Sequence, residues 1–224
     1  MNNELITLNI NNSLLKTIKL DFYNIIKRFF DIIISLIGII FLIPIAIIIK
    51  IANIINKDYD NIIFKQKRIG KNGELFTLYK FRSMKLNADD ELIKLLIDKD
   101  LEQEYKINKK LSNDPRITKV GKFIRRNSID ELPQLINVLK GDMSLIGNRP
   151  YLPREKQDMQ IYYDDIIMTK PGLTGLWQTS GRNKTTFKKR LELESWYSNN
   201  KSLKLDIKIF FKTFKSVFID KFTK

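Results

Sequence analysis

A long uncharged stretch near the amino terminus limits the folds open to this chain. Residues Ile32 to Ile49 are 18 consecutive residues without a charge. As a straight helix they would reach about 27 Å, close to the roughly 30 Å of a bilayer's hydrocarbon core. We therefore expect a membrane-embedded helix.

The same stretch leaves open whether the helix crosses the membrane. Basic residues flank it on both sides, with Lys27 and Arg28 before it and Lys50 after it, so the positive-inside rule indicates no orientation. Pro44 interrupts the hydrogen-bond ladder inside the run, as a helix that turns back would require. Hydropathy alone nevertheless favours an ordinary kinked spanning helix over a re-entrant one.

Composition narrows the chemistry that the remaining chain can perform. Among 224 residues there is no cysteine and no histidine, which excludes disulfides, thiolate nucleophiles, Ser-His-Asp triads and histidine-ligated metals. An enzyme of this composition must use carboxylates, lysines, hydroxyls or an oxygen-ligated cation such as Mg²⁺. The net charge of +15 suits an anionic partner: a phosphorylated substrate, an anionic lipid surface or nucleic acid.

Asp130 and Glu131 are the strongest candidates for catalysis. They come just before Pro133, which fits the first turn of a helix, and Gly141 ends the apolar pattern that follows. A helix that starts near Asp130 would favour an ionised carboxylate there and would also attract phosphate. Alternatively, Ser128 and Glu131 match a capping box with no chemical role, although Pro133 would then lie too deep in the helix.

Five basic side chains are candidates for contact with phosphate or nucleotide. Asn72-Gly73 predicts a β-hairpin in residues 61–82, and two of the five lie on one face at the end of its second strand. A third comes shortly before the acidic pair, and two lie in segments rich in glycine and proline that predict loops. A solvated strand edge or an ordinary surface position explains such cations as well. The five are Lys80, Arg82, Arg125, Arg149 and Arg182.

The C-terminal stretch predicts an amphipathic helix. Lysines occupy one side of it and apolar residues the other, which is typical of a helix lying on an anionic membrane. A core-facing helix with a solvated side fits the periodicity equally well. The apolar side consists of Leu203, Ile207, Phe210, Phe211, Phe214, Val217 and Phe218.

From about residue 25 to the C-terminus, motifs in order resemble those of the bacterial sugar transferases, the monotopic polyprenol-phosphate phosphoglycosyl transferases. The motifs are Lys27-Arg28-x-Phe30-Asp31, Phe64-x-Gln66-x-Arg68-x-Gly70, Lys80-Phe81-Arg82-Ser83-Met84, Asp114-Pro115-Arg116-Ile117-Thr118, Ser128-Ile129-Asp130-Glu131-Leu132-Pro133-Gln134-Leu135, Gly141-Asp142-Met143-Ser144-Leu145-Ile146-Gly147 and Pro171-Gly172-Leu173-Thr174-Gly175.

The resemblance implies a reaction and a location. A sugar 1-phosphate would pass from a nucleoside diphosphate sugar, expected to be a UDP-sugar, to undecaprenyl phosphate, with release of the nucleoside monophosphate. Asp130 would be the nucleophile of a covalent phosphosugar intermediate, and Glu131 would help to hold Mg²⁺. The enzyme would be monotopic, on the cytoplasmic face of the bacterial inner membrane, with a re-entrant helix that turns at Pro44. This implication overturns the preference from hydropathy.

The expected fold class is therefore α+β. It comprises a mostly helical cytosolic domain with a small β-hairpin, an N-terminal re-entrant membrane helix and amphipathic interfacial helices. Residues 1–24 are expected to form an extension, 25–52 the membrane helix, and 53–224 the catalytic domain. The expected partners are the sugar donor, undecaprenyl phosphate and membrane lipids, not nucleic acid, with a homodimer as an option.

Three residues depart from the family's usual pattern. Asn148 stands where the family usually has the first proline of Gly-Pro-Arg-Pro, so the loop loses a constraint on its backbone. Ile43 replaces a serine before the proline of the membrane helix, and Glu194 replaces an aspartate in what we interpret as a structural position. Two rival functions stay open: a non-catalytic membrane-anchored basic module that binds nucleic acid or acidic lipid, and a phosphotransferase or hydrolase with water as acceptor.

Overall fold

The fold combines one long N-terminal helix with a folded body of shorter helices and two small sheets. The computed structural model describes residues 2–108, 111–180 and 185–215. The helices are α1 (Asn2–Ile55), α2 (Ala88–Leu95), α3 (Lys99–Asn108), α4 (Lys119–Arg126), α5 (Gln134–Lys140), α6 (Lys156–Met159), α7 (Tyr163–Ile167), α8 (Leu176–Thr179), α9 (Phe187–Asn200) and α10 (Leu203–Phe214). The strands are β1 (Ile63–Ile69), β2 (Leu75–Phe81), β3 (Ser144–Ile146) and β4 (Gly172–Thr174). The predicted α+β class, mostly helical, is confirmed.

Strands β1 and β2 form the predicted hairpin. They pair antiparallel over their full length, with Ile69 opposite Leu75 next to the turn. The turn has a left-handed backbone at Asn72 (φ 57°) and Gly73 (φ 83°), a conformation that these residue types adopt at low cost. The Asn-Gly signal therefore located the turn correctly.

A second small sheet forms where glycine-rich sequence predicted loops. Strands β3 and β4 pair in parallel, with Ser144 opposite Gly172 and Ile146 opposite Thr174. A Cβ atom on Gly172 would lie only 2.1 Å from the backbone nitrogen of Gly147. The loop prediction was wrong at these residues because the glycines permit a close approach of two backbones, which is another common reason for glycine in a strand.

Helix α5 packs directly behind the hairpin. The side chain of Asn137 accepts a hydrogen bond from the backbone nitrogen of Tyr79 (3.0 Å) and donates one to the carbonyl of Thr77 (2.7 Å). The main core cluster surrounds this contact and consists of Leu78, Leu135, Val138, Met143, Leu145, Ile146, Tyr197 and Ile209. This packing holds the chain that precedes α5 beside the end of β2.

Helix α1 lies along the body and buries one narrow face. Asp31 on that face accepts a hydrogen bond from the backbone nitrogen of Leu145 (2.8 Å). Farther along the helix, Leu42 and Ile49 pack in a cluster with Phe81. The buried residues recur at helical spacing and are Tyr23, Asp31, Ser35, Leu42, Ile49 and Asn53.

Two basic residues at the start of the apolar run fix α1 to the body. Lys27 Nζ lies 2.5 Å from Asp206 Oδ2 on α10. Arg28 donates to the carbonyl oxygens of Val138 (2.6 Å) and Leu139 (2.7 Å) near the end of α5. The last carbonyls of a helix have no full set of partners within it. The guanidinium supplies a donor to the Leu139 carbonyl and a second donor to that of Val138, which also accepts from the Gly141 nitrogen.

The opposite face of α1 is apolar and exposed. Between Ile18 and Ile55 the helix is long and apolar enough to cross a membrane, by length and composition. Pro44 lies inside α1, and the helix continues beyond it to Ile55, so the predicted turn at Pro44 is not confirmed. The exposed face includes Phe22, Ile25, Phe29, Leu36, Ile40, Phe41, Ile43, Ile47, Ile48 and Ile51.

Helix α10 presents the predicted aromatic face to the outside. The helix buries Asp206 and Ile209 against the body. The core-facing alternative would require the aromatic face to be buried, and the described part of it is exposed. The predicted members Val217 and Phe218 lie outside the described residues. The exposed residues are Ile207, Phe210, Phe211 and Phe214.

Candidate active site

The acidic pair lies in a short 3₁₀ turn ahead of α5. The turn spans Ile129–Glu131, and α5 begins only at Gln134, directly after Pro133. The predicted helix start near Asp130 is therefore too early, although Pro133 does lie outside the helix interior. Ser128 has a left-handed backbone (φ 57°) and its side chain makes no capping hydrogen bond. The capping-box alternative is thus wrong for this turn.

Glu131 pairs with Lys80 at the end of β2. Lys80 Nζ lies 2.8 Å from Glu131 Oε1, and the two side chains are 23% and 41% exposed. An ion pair this accessible contributes little to stability. Both groups can therefore exchange their mutual contact for contacts with a charged ligand.

Asp130 is buried, with 8% of its surface exposed. Loss of hydration on burial raises its pKa to about 6; the charges of Lys80 and Arg125 act to lower it and that of Glu131 acts to raise it further. The raised pKa is opposite to the effect that the sequence suggested for a carboxylate at a helix start, because α5 begins only at Gln134. At neutral pH the group is mostly ionised but poorly hydrated, which favours nucleophilic attack.

A small polar cavity adjoins this turn. It lies between the hairpin, α5, the segment after β3 and the junction of β4 with α8. Three cations and one carboxylate face it, together with two amide side chains, a set suited to a phosphorylated ligand. The lining residues are Arg68, Leu78, Lys80, Glu131, Gln134, Arg149, Pro150, Gly172, Leu173 and Gln178.

Arg68 and Arg149 form the strongly cationic side of the cavity. Arg68 donates to the carbonyl of Pro150 (3.0 Å) and to Gln66 Oε1 (2.6 Å). Burial, and then the charge of Arg149, lower the pKa of Arg68 to about 10, so it remains protonated at neutral pH. The Nε atoms of Arg68 and Arg149 are buried and have no hydrogen-bond partner among the described residues. An anion in the cavity would relieve the repulsion between the two guanidinium groups.

Sequence reasoning did not single out Arg68 as a site residue, although a usable signal existed. In the hairpin Arg68 pairs with Phe76, and Phe64 pairs with Lys80. Paired residues in an antiparallel sheet share a face, and alternate residues along one strand do so too. The register fixed by the Asn-Gly turn therefore places Arg68 on the same face as Lys80.

The structure does not bring Arg82 into the cavity. Its guanidinium is 8% exposed and donates to Asp58 Oδ1 (2.6 Å), to the carbonyl of Asn61 (2.7 Å) and to the carbonyl of Met84 (3.1 Å). These bonds hold the connection between α1 and β1 against the end of β2. Arg82 therefore has a structural role in the fold.

The remaining predicted cations fall in different places. Arg125 is exposed on α4 and its charge acts on Asp130, although it does not line the cavity. Arg182 lies outside the described residues. Of the five candidates, the structure gathers Lys80 and Arg149 around the cavity beside the acidic pair.

The donor chemistry of the acidic pair fits a hard cation. Within residues 2–108, 111–180 and 185–215, no cluster of three or more acidic, histidine or cysteine side chains could hold a metal ion. Mg²⁺, however, commonly uses one or two carboxylates and completes its shell with water and substrate phosphate. Glu131, which lines the cavity, is a carboxylate of the kind that such a site requires.

Comparison with known proteins adds a family match. The family described as bacterial sugar transferase matches residues 22–220 of this chain. The undecaprenyl-phosphate galactose phosphotransferase of Salmonella typhimurium is 46% identical over 196 residues, which cover 86% of this chain and 40% of that protein. The UDP-glucose:undecaprenyl-phosphate glucose-1-phosphate transferase of Klebsiella pneumoniae is 36% identical over 205 residues, covering 88% of this chain and 41% of that protein.

A shorter relative matches over most of its length. The exopolysaccharide production protein ExoY of Rhizobium meliloti is 36% identical over 195 residues, covering 85% of this chain and 84% of that protein. This chain therefore spans most of one relative and only about two fifths of the other two.

Proposed function

The chain belongs to the bacterial sugar transferase family, and we propose that it transfers a sugar 1-phosphate from a nucleoside diphosphate sugar to undecaprenyl phosphate. The expected donor is a UDP-sugar and the released product is the nucleoside monophosphate. The names of two relatives, which include undecaprenyl phosphate and in one case UDP-glucose, support this choice. The observation that carries the proposal is the turn of the buried Asp130, whose neighbour Glu131 lines a cavity together with Lys80, Arg68 and Arg149.

The proposed reaction has two displacements at one phosphorus atom. In the first, a carboxylate oxygen of Asp130 attacks the phosphorus attached to the sugar, and the bond to the nucleoside monophosphate breaks. The monophosphate leaves with the electron pair. In the second, an oxygen of undecaprenyl phosphate attacks the same phosphorus, which forms the lipid-linked diphosphate sugar and returns Asp130 as a free carboxylate.

The basic residues of the cavity would hold the negative charge of the donor. Arg68 and Arg149 both line the cavity, and guanidinium groups match phosphate oxygens geometrically. Lys80 would leave its 2.8 Å contact with Glu131 and turn to phosphate. Their charges oppose the repulsion that Asp130 meets as it approaches the anionic diphosphate.

Glu131 is the residue that would hold Mg²⁺. When bound, the cation would supply positive charge for the diphosphate oxygens. The Glu131 side chain is 41% exposed, so its carboxylate is accessible to the cation while Asp130 reacts. Magnesium dependence of donor turnover is thus part of the proposal.

An assay with a panel of nucleoside diphosphate sugars tests the proposed reaction. We expect the full chain, supplied with undecaprenyl phosphate and Mg²⁺, to release nucleoside monophosphate from one or a few nucleoside diphosphate sugars. The lipid extract should then contain the matching sugar diphosphate lipid. Without acceptor, release should stop after about one equivalent per enzyme, because Asp130 stays modified.

Two results of the panel would contradict the proposal. No release of monophosphate from any donor would remove the transferase assignment. Continuous release of free sugar phosphate without a lipid product would instead favour the hydrolase alternative, with water as acceptor.

We also propose that α1 is a monotopic anchor that stays on one face of the membrane. Lys27 at one end of the apolar run binds Asp206, and Ile49 at the other end packs with Phe81, so both ends contact the same folded body. A helix perpendicular to the bilayer would separate these ends by its full thickness. The exposed apolar faces of α1 and α10 would then contact lipid.

Labelling of introduced cysteines tests this topology, since the chain has none of its own. Cysteines placed near residues 10 and 60 of the full chain in intact cells should both be protected from an impermeant thiol reagent. Labelling of one position and protection of the other would mean that α1 crosses the membrane.

A further inference from the structure

A row of polar residues lies on the buried face of α9. Arg190, Glu194 and Ser198 are spaced by four residues, which places them in line along one side of the helix. They are 8%, 1% and 5% exposed. A helix face turned to the core is usually apolar, because polar groups lose hydration there. Polar partners should therefore lie opposite this row.

The partners of this row are Asn148 and Arg149, in the segment that brings Arg149 to the cavity. Ser198 Oγ accepts a hydrogen bond from Asn148 Nδ2 (2.7 Å). Glu194 Oε1 accepts one from the backbone nitrogen of Arg149 (3.0 Å). Two successive residues of the loop are thus held by two successive turns of α9.

Asn148 makes further hydrogen bonds to other segments of the chain. Its amide nitrogen also lies 3.1 Å from Thr169 Oγ1 and 3.2 Å from the carbonyl of Ile166. Its own carbonyl accepts from the backbone nitrogen of Gly172 (2.7 Å). Side-chain hydrogen bonds therefore supply the constraint that the departure from proline at this position removes.

The third member of the row shares an aromatic ring with Arg149. The guanidinium of Arg190 lies 4.0 Å from the centre of the Trp177 ring, and that of Arg149 lies 5.8 Å from it. Two like charges near one ring repel each other, and Glu194 is the acid on the same helix that lies against both arginines. The row therefore acts on both the backbone and the side chain of Arg149.

We infer that Glu194 is a positioning residue that fixes where Arg149 presents its guanidinium to the diphosphate of the donor. This inference rests on the proposed function for the identity of the anion. Glu194 itself is buried behind Arg149 and does not line the cavity. Its effect on substrate passes through the backbone bond to Arg149.

Three variants of the full chain separate positioning from general packing. Glu194→Ala removes the acceptor, whereas Glu194→Gln keeps a side-chain carbonyl that can accept from the Arg149 nitrogen. Ser195→Ala is the matched control, because Ser195 is the next residue of α9 but bonds to Asp165 on α7. The measured quantities are affinity for inorganic pyrophosphate, and KM and kcat for the donor.

We expect Glu194→Ala to weaken pyrophosphate binding and to raise the donor KM by about tenfold each, with kcat changed less than about threefold. Glu194→Gln should restore affinity to within about threefold, and Ser195→Ala should leave it unchanged. Equal affinity in the wild type and Glu194→Ala would overturn the inference. So would an equal loss in the alanine and glutamine variants, since the backbone bond would then not matter.

Two further measurements separate the inference from a folding defect in the variant and from failure of the proposed reaction. If Glu194→Ala does not fold, Ser198→Ala tests the same row, and an affinity that falls by about threefold supports the inference whereas no change overturns it. If the wild type transfers sugar phosphate from no donor, weaker pyrophosphate binding by Glu194→Ala still supports the positioning of Arg149 while the transferase proposal fails.

Discussion

Asp130 in the turn before α5 and Glu194 on α9 are both buried acids, and we propose different tasks for them because their surroundings differ. Burial raises the pKa of Asp130 to about 6 and that of Glu194 to about 7. Glu194 uses a carboxylate oxygen to hold the backbone of Arg149. After burial, the main influences on Asp130 are the charges of neighbouring groups. Burial alone therefore does not distinguish a reacting acid from a positioning one.

The same contrast separates two arginines that the sequence predicted as phosphate ligands. Arg82 donates to one carboxylate and two carbonyls of the fold. Arg149 faces the cavity and has a buried Nε donor without a partner in the described parts of the chain. A polar group is available for chemistry when the fold has left part of its bonding capacity unused.

Replacement of the proposed nucleophile should give the largest effect. We expect Asp130→Asn to lower sugar phosphate transfer by about 10⁴-fold or more, because a carboxamide cannot serve as the nucleophile. Glu194→Gln, measured in parallel, should keep kcat within about threefold. Initial rates of monophosphate release with saturating donor and acceptor provide the comparison. Similar losses in both variants would erase the distinction between the two acids.

The same Asp130→Asn variant should be more stable than the wild type at alkaline pH. The pKa of Asp130 is about 6 in the folded chain against an ordinary value of 3.8, so its contribution to stability is fully present below about pH 4 and lost as the pH rises through about 6. Above that pH the wild type carries a cost of roughly 2–3 kcal/mol that asparagine lacks. The measurement is the difference in free energy of unfolding across this range.

A constant difference between the two proteins from about pH 4 to pH 8 would contradict this assignment of the pKa. A difference that grows with pH would tie the cost to ionisation of Asp130. Asp130→Asn would then show that the fold tolerates an unfavourable charge at residue 130, where the proposed reaction needs it.

Local patterns in the sequence predicted the parts of this molecule that depend on near neighbours. Asn72 and Gly73 located the hairpin because their backbone preferences are intrinsic. The uncharged run predicted the long apolar helix α1, whereas the periodicity of α10 left open whether its apolar face lies in the core. The acidic pair is a candidate because few other groups in a chain without histidine or cysteine perform nucleophilic chemistry.

Contacts between distant segments could not be predicted in this way. Arg68 meets Pro150, which lies 82 residues away, and Arg149 meets Glu194 at a separation of 45 residues. Arg82 had the right charge for a phosphate ligand, but only the path of the chain shows that Asp58 returns to pair with it. The parallel pairing of β3 with β4 depends likewise on a connection that glycine content does not specify.

Removal of the Lys80 charge should change activity less than Asp130→Asn does. The direction in which it moves the pH profile tests whether Asp130 is the titrating group. The charge of Lys80 lowers the Asp130 pKa and that of Glu131 raises it. We therefore expect Lys80→Gln to move the acid limb of kcat/KM above about pH 6 and Glu131→Gln to move it below. The ratio of activity at about pH 8 to that at about pH 5.5 should rise by roughly three- to tenfold in Lys80→Gln. If Asp130 is the titrating group, the stability difference between Asp130→Asn and the wild type should change over the same pH range as the acid limb of activity. A limb that moves in the same direction in Lys80→Gln and Glu131→Gln would show that Asp130 is not the titrating group.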